Sequence, residues 1–174
     1  MKTLVIRSAS LERFDALAQK LGLNAGYTDP VEVLTHPHAT EALRANYPTV
    51  TVVEYPYTGG FCRHAVKQMV RAGSLAKDHS EIIVLCGNVS GGGHFNAIRA
   101  AHEAGSNVFL FNTAGELVPA PPAQVRREAT RRLLLFPAAV FGTILVLALG
   151  VPWLAACLIL GKAVSGKNSS EKTG

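Results

Sequence analysis

Residues 81–101 read EIIVLCGNVSGGGHFNAIRAA. A strand open to water on one face would alternate apolar and polar residues, but Ile82–Cys86 is apolar at every position, as in a strand covered on both faces. The run ends in a glycine-rich loop, Gly87–Gly93, and a helical segment follows over Phe95–Ala104, stopped by Gly105. A buried strand leading through a loop into a helix is one half of a parallel crossover unit.

The unit repeats outward from this stretch. Upstream, Thr3–Arg7, Val31–Thr35 and Val50–Glu54 are strand candidates; downstream, Asn107–Phe111 is another. Between them, Leu11, Phe14, Leu17, Ala18 and Leu21 recur at helical spacing, and Ala39–Asn46 and Phe61–Ala72 are further helices. The predicted fold is α/β, a single doubly wound Rossmann-like parallel five-stranded sheet over residues 1–118. Strand order 3-2-1-4-5 is favoured, with 2-1-3-4-5 as the alternative.

A second feature has a different physical meaning. Residues 133–161, LLLFPAAVFGTILVLALGVPWLAACLILG, contain no charged side chain. About 20 apolar residues span a bilayer core of about 30 Å, so a C-terminal membrane helix is expected here. Gly150-Val151-Pro152 should kink or break it, which leaves a single span and a re-entrant hairpin both open. The proline-rich and then basic linker 119–132 precedes the run, and the polar tail 162–174 follows it.

The net charge of +5 suggests nucleic-acid binding until it is located. Residues 1–125 hold ten basic and ten acidic side chains, so the whole excess flanks the apolar run. Arg126, Arg127, Arg131 and Arg132 lie before it, and Lys162, Lys167 and Lys172 after it. Such charges meet anionic head groups and bias topology. The expected partner is therefore membrane lipid, and no nucleic acid. The opening MKTLVIRSAS has no signal-peptide core, which predicts a soluble domain facing the cytoplasm. Cys62, Cys86 and Cys157 form no CxxC pair and read as structural thiols.

In a parallel sheet the carboxyl ends of the strands form the ligand crevice. Three glycines in a row, Gly91, Gly92 and Gly93, let a backbone approach a phosphate, and the helix that follows aims its N–H groups at the same place. Asn88, Ser90, His94 and Asn96 could add donors. Ser8 and Ser10 after the first strand, and Thr58 and Gly59 after the third, converge on the same edge. The loop lacks both the GxGxxG spacing and the Lys-Ser/Thr of a P-loop. His36 and His38 supply two imidazoles, but spacing places no third ligand, so no metal is expected.

Gly91-Gly-Gly-His94 with Asn96-Ala-Ile-Arg-Ala-Ala101 resembles the GGxGGH-type loop of membrane-associated glycosyltransferases with two Rossmann-like halves. Those of lipid II and galactolipid synthesis are examples. The opening TLVIRSAS also resembles the start of the heptosyltransferases. The resemblance implies a loop contacting phosphate or acceptor, with His94 at the position of a catalytic histidine, a role its near-neutral pKa suits. Such enzymes use a second Rossmann half, so it also implies a protein partner or a homo-oligomer. The expectation is a membrane-anchored glycosyltransferase-like protein, an acceptor-side or accessory subunit in lipid-linked or surface polysaccharide synthesis. Its substrate would be a sugar nucleotide or a polyprenyl-phosphate-linked saccharide, with no cofactor. The rival expectation is a non-catalytic membrane scaffold that docks a cytoplasmic partner.

Overall fold

The computed structural model describes residues 2–90, 93–123, 125–127, 130, 143 and 146–153. Residues 1–126 form one compact unit and residues 127–174 a second. The first unit is an α/β domain. Its strands are β1 (Thr3–Ile6), β2 (Val31–Thr35), β3 (Thr51–Glu54), β4 (Glu81–Leu85), β5 (Val108–Phe111) and β6 (Leu117–Pro119). Its helices are α1 (Leu11–Leu21), α2 (Thr40–Asn46), α3 (Arg63–Arg71) and α4 (Phe95–Ala104), with a short 3₁₀ turn at Pro37–Ala39.

The sheet order is β3-β2-β1-β4-β5-β6. The first five strands are parallel and follow the favoured order, with Val5 opposite Val33 on one side and Ile83 on the other. Successive residues of each strand serve opposite faces. Val5, Ile83 and Leu85 pack with Phe14, Leu17 and Leu43 of α1 and α2. Leu4, Ile6, Ile82 and Val84 pack with Val66, Met69, Ala97 and Ala101 of α3 and α4. This two-sided burial is why β4 reads as an unbroken apolar run. The alanines of α4 let that helix lie close: Ala100, Ala101 and Ala104 are wholly buried.

Local signals set the ends of α1. Gly22 adopts φ 71°, and its N–H reaches back to Ala18 and Gln19, closing the last turn in the left-handed geometry that favours glycine. Phe14 meets Tyr47 edge-on at 5.0 Å, and the Tyr47 hydroxyl donates to Asp15 at 2.8 Å.

The expected all-parallel five-stranded sheet needs correction. A sixth strand, β6, pairs antiparallel with β5, so the sheet is mixed. The Asn112 side-chain oxygen accepts from the N–H groups of Ala114 and Glu116, and Gly115 turns the chain at φ 76°. Pro119, read as the first residue of the proline-rich linker, lies within this strand. Pro119 is tolerated because an edge strand can spare the missing N–H.

Of the apolar run 133–161, the described residues are Thr143 and 146–153; the remainder, and with it the expected membrane helix or hairpin, lies outside them. Val146–Gly150 winds as a π-helix directly before Val151 and Pro152. Among the described residues no helix is long and apolar enough to cross a membrane.

Candidate functional site

The order β3-β2-β1-β4-β5-β6 reverses direction between β1 and β4, which carry the chain outward on opposite sides. Loops leaving their carboxyl ends must diverge there and leave a crevice. A cleft of about 500 Å³ opens at this point, a volume suited to a small organic ligand. Its lining comes from the β1–α1 turn (Arg7, Ser8, Ala9, Ser10), from His36 and His38 after β2, from Gly60 and Phe61 before α3, and from Gly93, His94, Asn96 and Ala97 at the start of α4.

Five of the residues expected from sequence therefore meet in one place: Ser8, Ser10, Gly93, His94 and Asn96. Asn88 and Ser90 belong to the same loop but do not line the cleft, and neither do Thr58 and Gly59, whose neighbours Gly60 and Phe61 do. Gly91 and Gly92 lie outside the described residues.

His94 is held by both ring nitrogens. The Gly87 N–H donates to Nε2 at 2.9 Å, so Nε2 is the unprotonated nitrogen. The proton then sits on Nδ1, 3.2 Å from the Ser8 hydroxyl, which in turn donates to the Leu85 carbonyl. A chain of hydrogen bonds thus joins the ends of β1 and β4 through one imidazole. Burial pushes the His94 pKa below its ordinary value. Protonating Nε2 would also set a second N–H against that of Gly87, so the neutral ring is favoured twice over. The same bond straps Gly87 to residue 94 and closes the glycine loop upon itself.

Arg7 is the feature that the sequence reading missed. It follows β1 directly and is 7% exposed. Its Nε donates to the Thr35 hydroxyl at 2.9 Å, one terminal nitrogen to the Ala9 carbonyl at 2.8 Å, and the other lies 3.2 Å from Nε2 of His38. No carboxylate pairs with it among the described residues. Desolvation lowers its pKa, but a guanidinium starts so high that it stays charged. The cleft is therefore walled by a buried, uncompensated cation.

Beside Arg7, His36 and His38 stack with ring centres 5.9 Å apart, and His36 also packs on Tyr55 and Phe61 at 5.2 and 4.7 Å. Burial first, then His38 and Arg7, lower the His36 pKa against a raising hydrogen bond to the Tyr57 backbone. Burial also raises the Tyr55 phenol to about 12. Among the described residues no three His, Cys, Asp or Glu side chains are grouped to hold a metal.

Two cysteines behave differently from one another. Cys86 is buried, and desolvation lifts its thiol to about 11. Cys62 is exposed at the N-terminus of α3, where the Ala65 N–H and the Tyr55 hydroxyl lower its pKa. The structural-thiol reading suits the buried Cys86; Cys62 is exposed, and Cys157 lies outside the described residues.

Compared with known proteins, the chain matches no family model, no curated protein and no solved structure.

Proposed function

We propose that this protein binds a phosphorylated small ligand in the cleft between the ends of β1 and β4, as the acceptor-side or accessory subunit of a glycosyltransferase-like system acting on lipid-linked or surface saccharides. One observation carries the reading: a buried guanidinium with no carboxylate partner among the described residues shares a cleft with Ser8, Ser10, His94 and Asn96. A cation left uncompensated inside a protein is costly unless an anion arrives to share it. The hydroxyl, amide and imidazole groups suit the hydroxyls of a sugar. The apolar, cation-flanked run 133–161 supports a membrane anchor, which would hold the cleft near a lipid-linked substrate.

Binding is favoured over catalysis by the state of His94. A general base needs a free lone pair within reach of the proton it removes, and the lone pair on Nε2 is occupied by Gly87. An accessory role asks no more of His94 than to hold the two strand ends in place.

The test is a thermal-shift screen of the full chain in detergent against sugar nucleotides, sugar phosphates and polyprenyl phosphates. Stabilisation by members of one phosphorylated class is expected. No shift with any of them, together with stoichiometric co-purification of a cytoplasmic protein, would replace this reading with that of a docking scaffold.

A further inference from the structure

We infer that the ligand's charge is anchored by Arg7 on the β1–α1 turn, not by the glycine loop, and that the group held there is a phosphate ester. The inference rests on the phosphorylated-ligand reading above and adds which residues receive the phosphate.

The guanidinium has five N–H donors, and three are engaged by Thr35, Ala9 and His38. Those three bonds fix its plane; the other two N–H groups have no protein acceptor among the described residues. Ser10 is exposed on the cleft wall, and as the N-cap of α1 its hydroxyl makes no capping bond. The first-turn N–H groups of α1 have no partner within the helix, and their dipole favours an anion. A tetrahedral phosphate has oxygens enough to accept from the guanidinium, the Ser10 hydroxyl and an α1 N–H together, whereas a carboxylate has only two.

Among the described residues of the glycine loop, the Gly87 N–H is spent on His94, Asn88 and Ser90 do not line the cleft, and Gly93 lines it without a side chain to offer. With the phosphate at Arg7, the rest of the ligand runs across the switch point toward His94 and Asn96. The phosphate could belong to a soluble sugar phosphate or nucleotide, or to a lipid, and the chemistry at Arg7 is the same for each.

Calorimetric titration of the full chain in detergent micelles tests this, with inorganic phosphate, uridine diphosphate and micelles containing phosphatidic acid as probes. Arg7→Lys keeps the charge but loses the fork, and it is expected to weaken binding about tenfold or more with the melting temperature little changed. Ser10→Ala, at an exposed site with no capping bond to lose, is expected to weaken it about threefold to tenfold. Ser90→Ala should leave affinity within about twofold. Binding of the soluble probes, or of the lipid micelles alone, supports the anchor and names the source of the phosphate. Loss of binding in Ser90→Ala with retention in Arg7→Lys and Ser10→Ala would overturn the role of Arg7 while leaving a phosphorylated ligand standing. If Arg7→Lys fails to fold, an unchanged affinity in Ser10→Ala overturns it. Failure of the wild-type chain to bind any probe sinks the phosphorylated-ligand reading itself.

Discussion

The two edges of the parallel sheet treat buried charge in opposite ways. At the amino edge, Glu32 accepts from Lys2 at 3.0 Å and meets His79 at 2.8 Å, while Asp78 lies 3.6 Å from the same lysine. Lys2 and Glu32 there answer each other's charge, and Glu32 also takes the His79 ring. At the carboxyl edge, Arg7 is buried beside two histidines and has no carboxylate among the described residues. At the amino edge a cation and a carboxylate neutralise each other; at the carboxyl edge the guanidinium is left for an incoming anion.

The largest expected effect comes from breaking the balanced edge. Glu32→Leu would leave the wholly buried His79 side chain without its acceptor and Lys2 with Asp78 alone, costing about 3 kcal/mol in chemical denaturation. The equivalent insult at the other edge should be milder. Arg7→Met removes a desolvated cation with no carboxylate partner among the described residues and gives up its bonds to Thr35 and Ala9, so the loss should be about 1–2 kcal/mol, smaller than that of Glu32→Leu, while phosphate binding disappears. A loss as large as that of Glu32→Leu would mean that Arg7 is structural, and the contrast between the edges would fail.

The histidines sharpen the comparison through pH. The folded pKa values of His94, His36 and His102 are all lowered, burial being the first cause in each. The unfolded chain therefore takes up protons before the folded one as pH falls. Stability should be full above the unfolded value of about 6.5, decline as pH drops through it, and level off below the folded values. In His94→Asn the decline, followed by denaturation at a series of pH values, should be shallower. An unchanged slope would show that His94 does not titrate differently on folding.

Glycine substitutions carry the same contrast on a small scale. A Cβ on Gly105, at the amino edge, would meet Ile82 at 3.0 Å and the His79 carbonyl at 3.3 Å, so Gly105→Ala should cost about 1–2 kcal/mol. Among the described residues, a Cβ on Gly87, at the carboxyl edge, would meet only His94, at an ordinary 3.6 Å. Gly87→Ala should change stability by less than about 0.5 kcal/mol in the same assay. The closed edge has no room, and the open one does.

Much of the fold was legible because burial on both faces leaves apolar runs, and because α1 carries its own punctuation in Leu11, Phe14, Leu17, Leu21 and Gly22. β6 escaped because three residues, one of them Pro119 and another the exposed Val118, show no period at all. The cleft was half legible. Strand ends in a parallel sheet converge by topology, which located Ser8, Ser10 and His94. Whether a loop residue then turns inward is a matter of packing, and so Thr58 and Gly59 fell outside while Gly60 and Phe61 did not. Arg7 looked like the last residue of an ordinary strand. Only the neighbours it lacks distinguish it, and a lack of neighbours leaves no mark in a sequence.

The short antiparallel β6 also governs how the protein resists aggregation. A sheet edge is a template onto which another chain can add, and it is blunted by brevity, charge or proline. β6 offers three residues ending in Pro119, and the next residue's carbonyl, that of Ala120, bonds to His102 of α4. At the far edge, β3 is four residues long and ends in Glu54, paired with Arg44. Both margins are too short, and too interrupted by proline or charge, to seed a growing ribbon, so copies crowded together have no long bare strand to join.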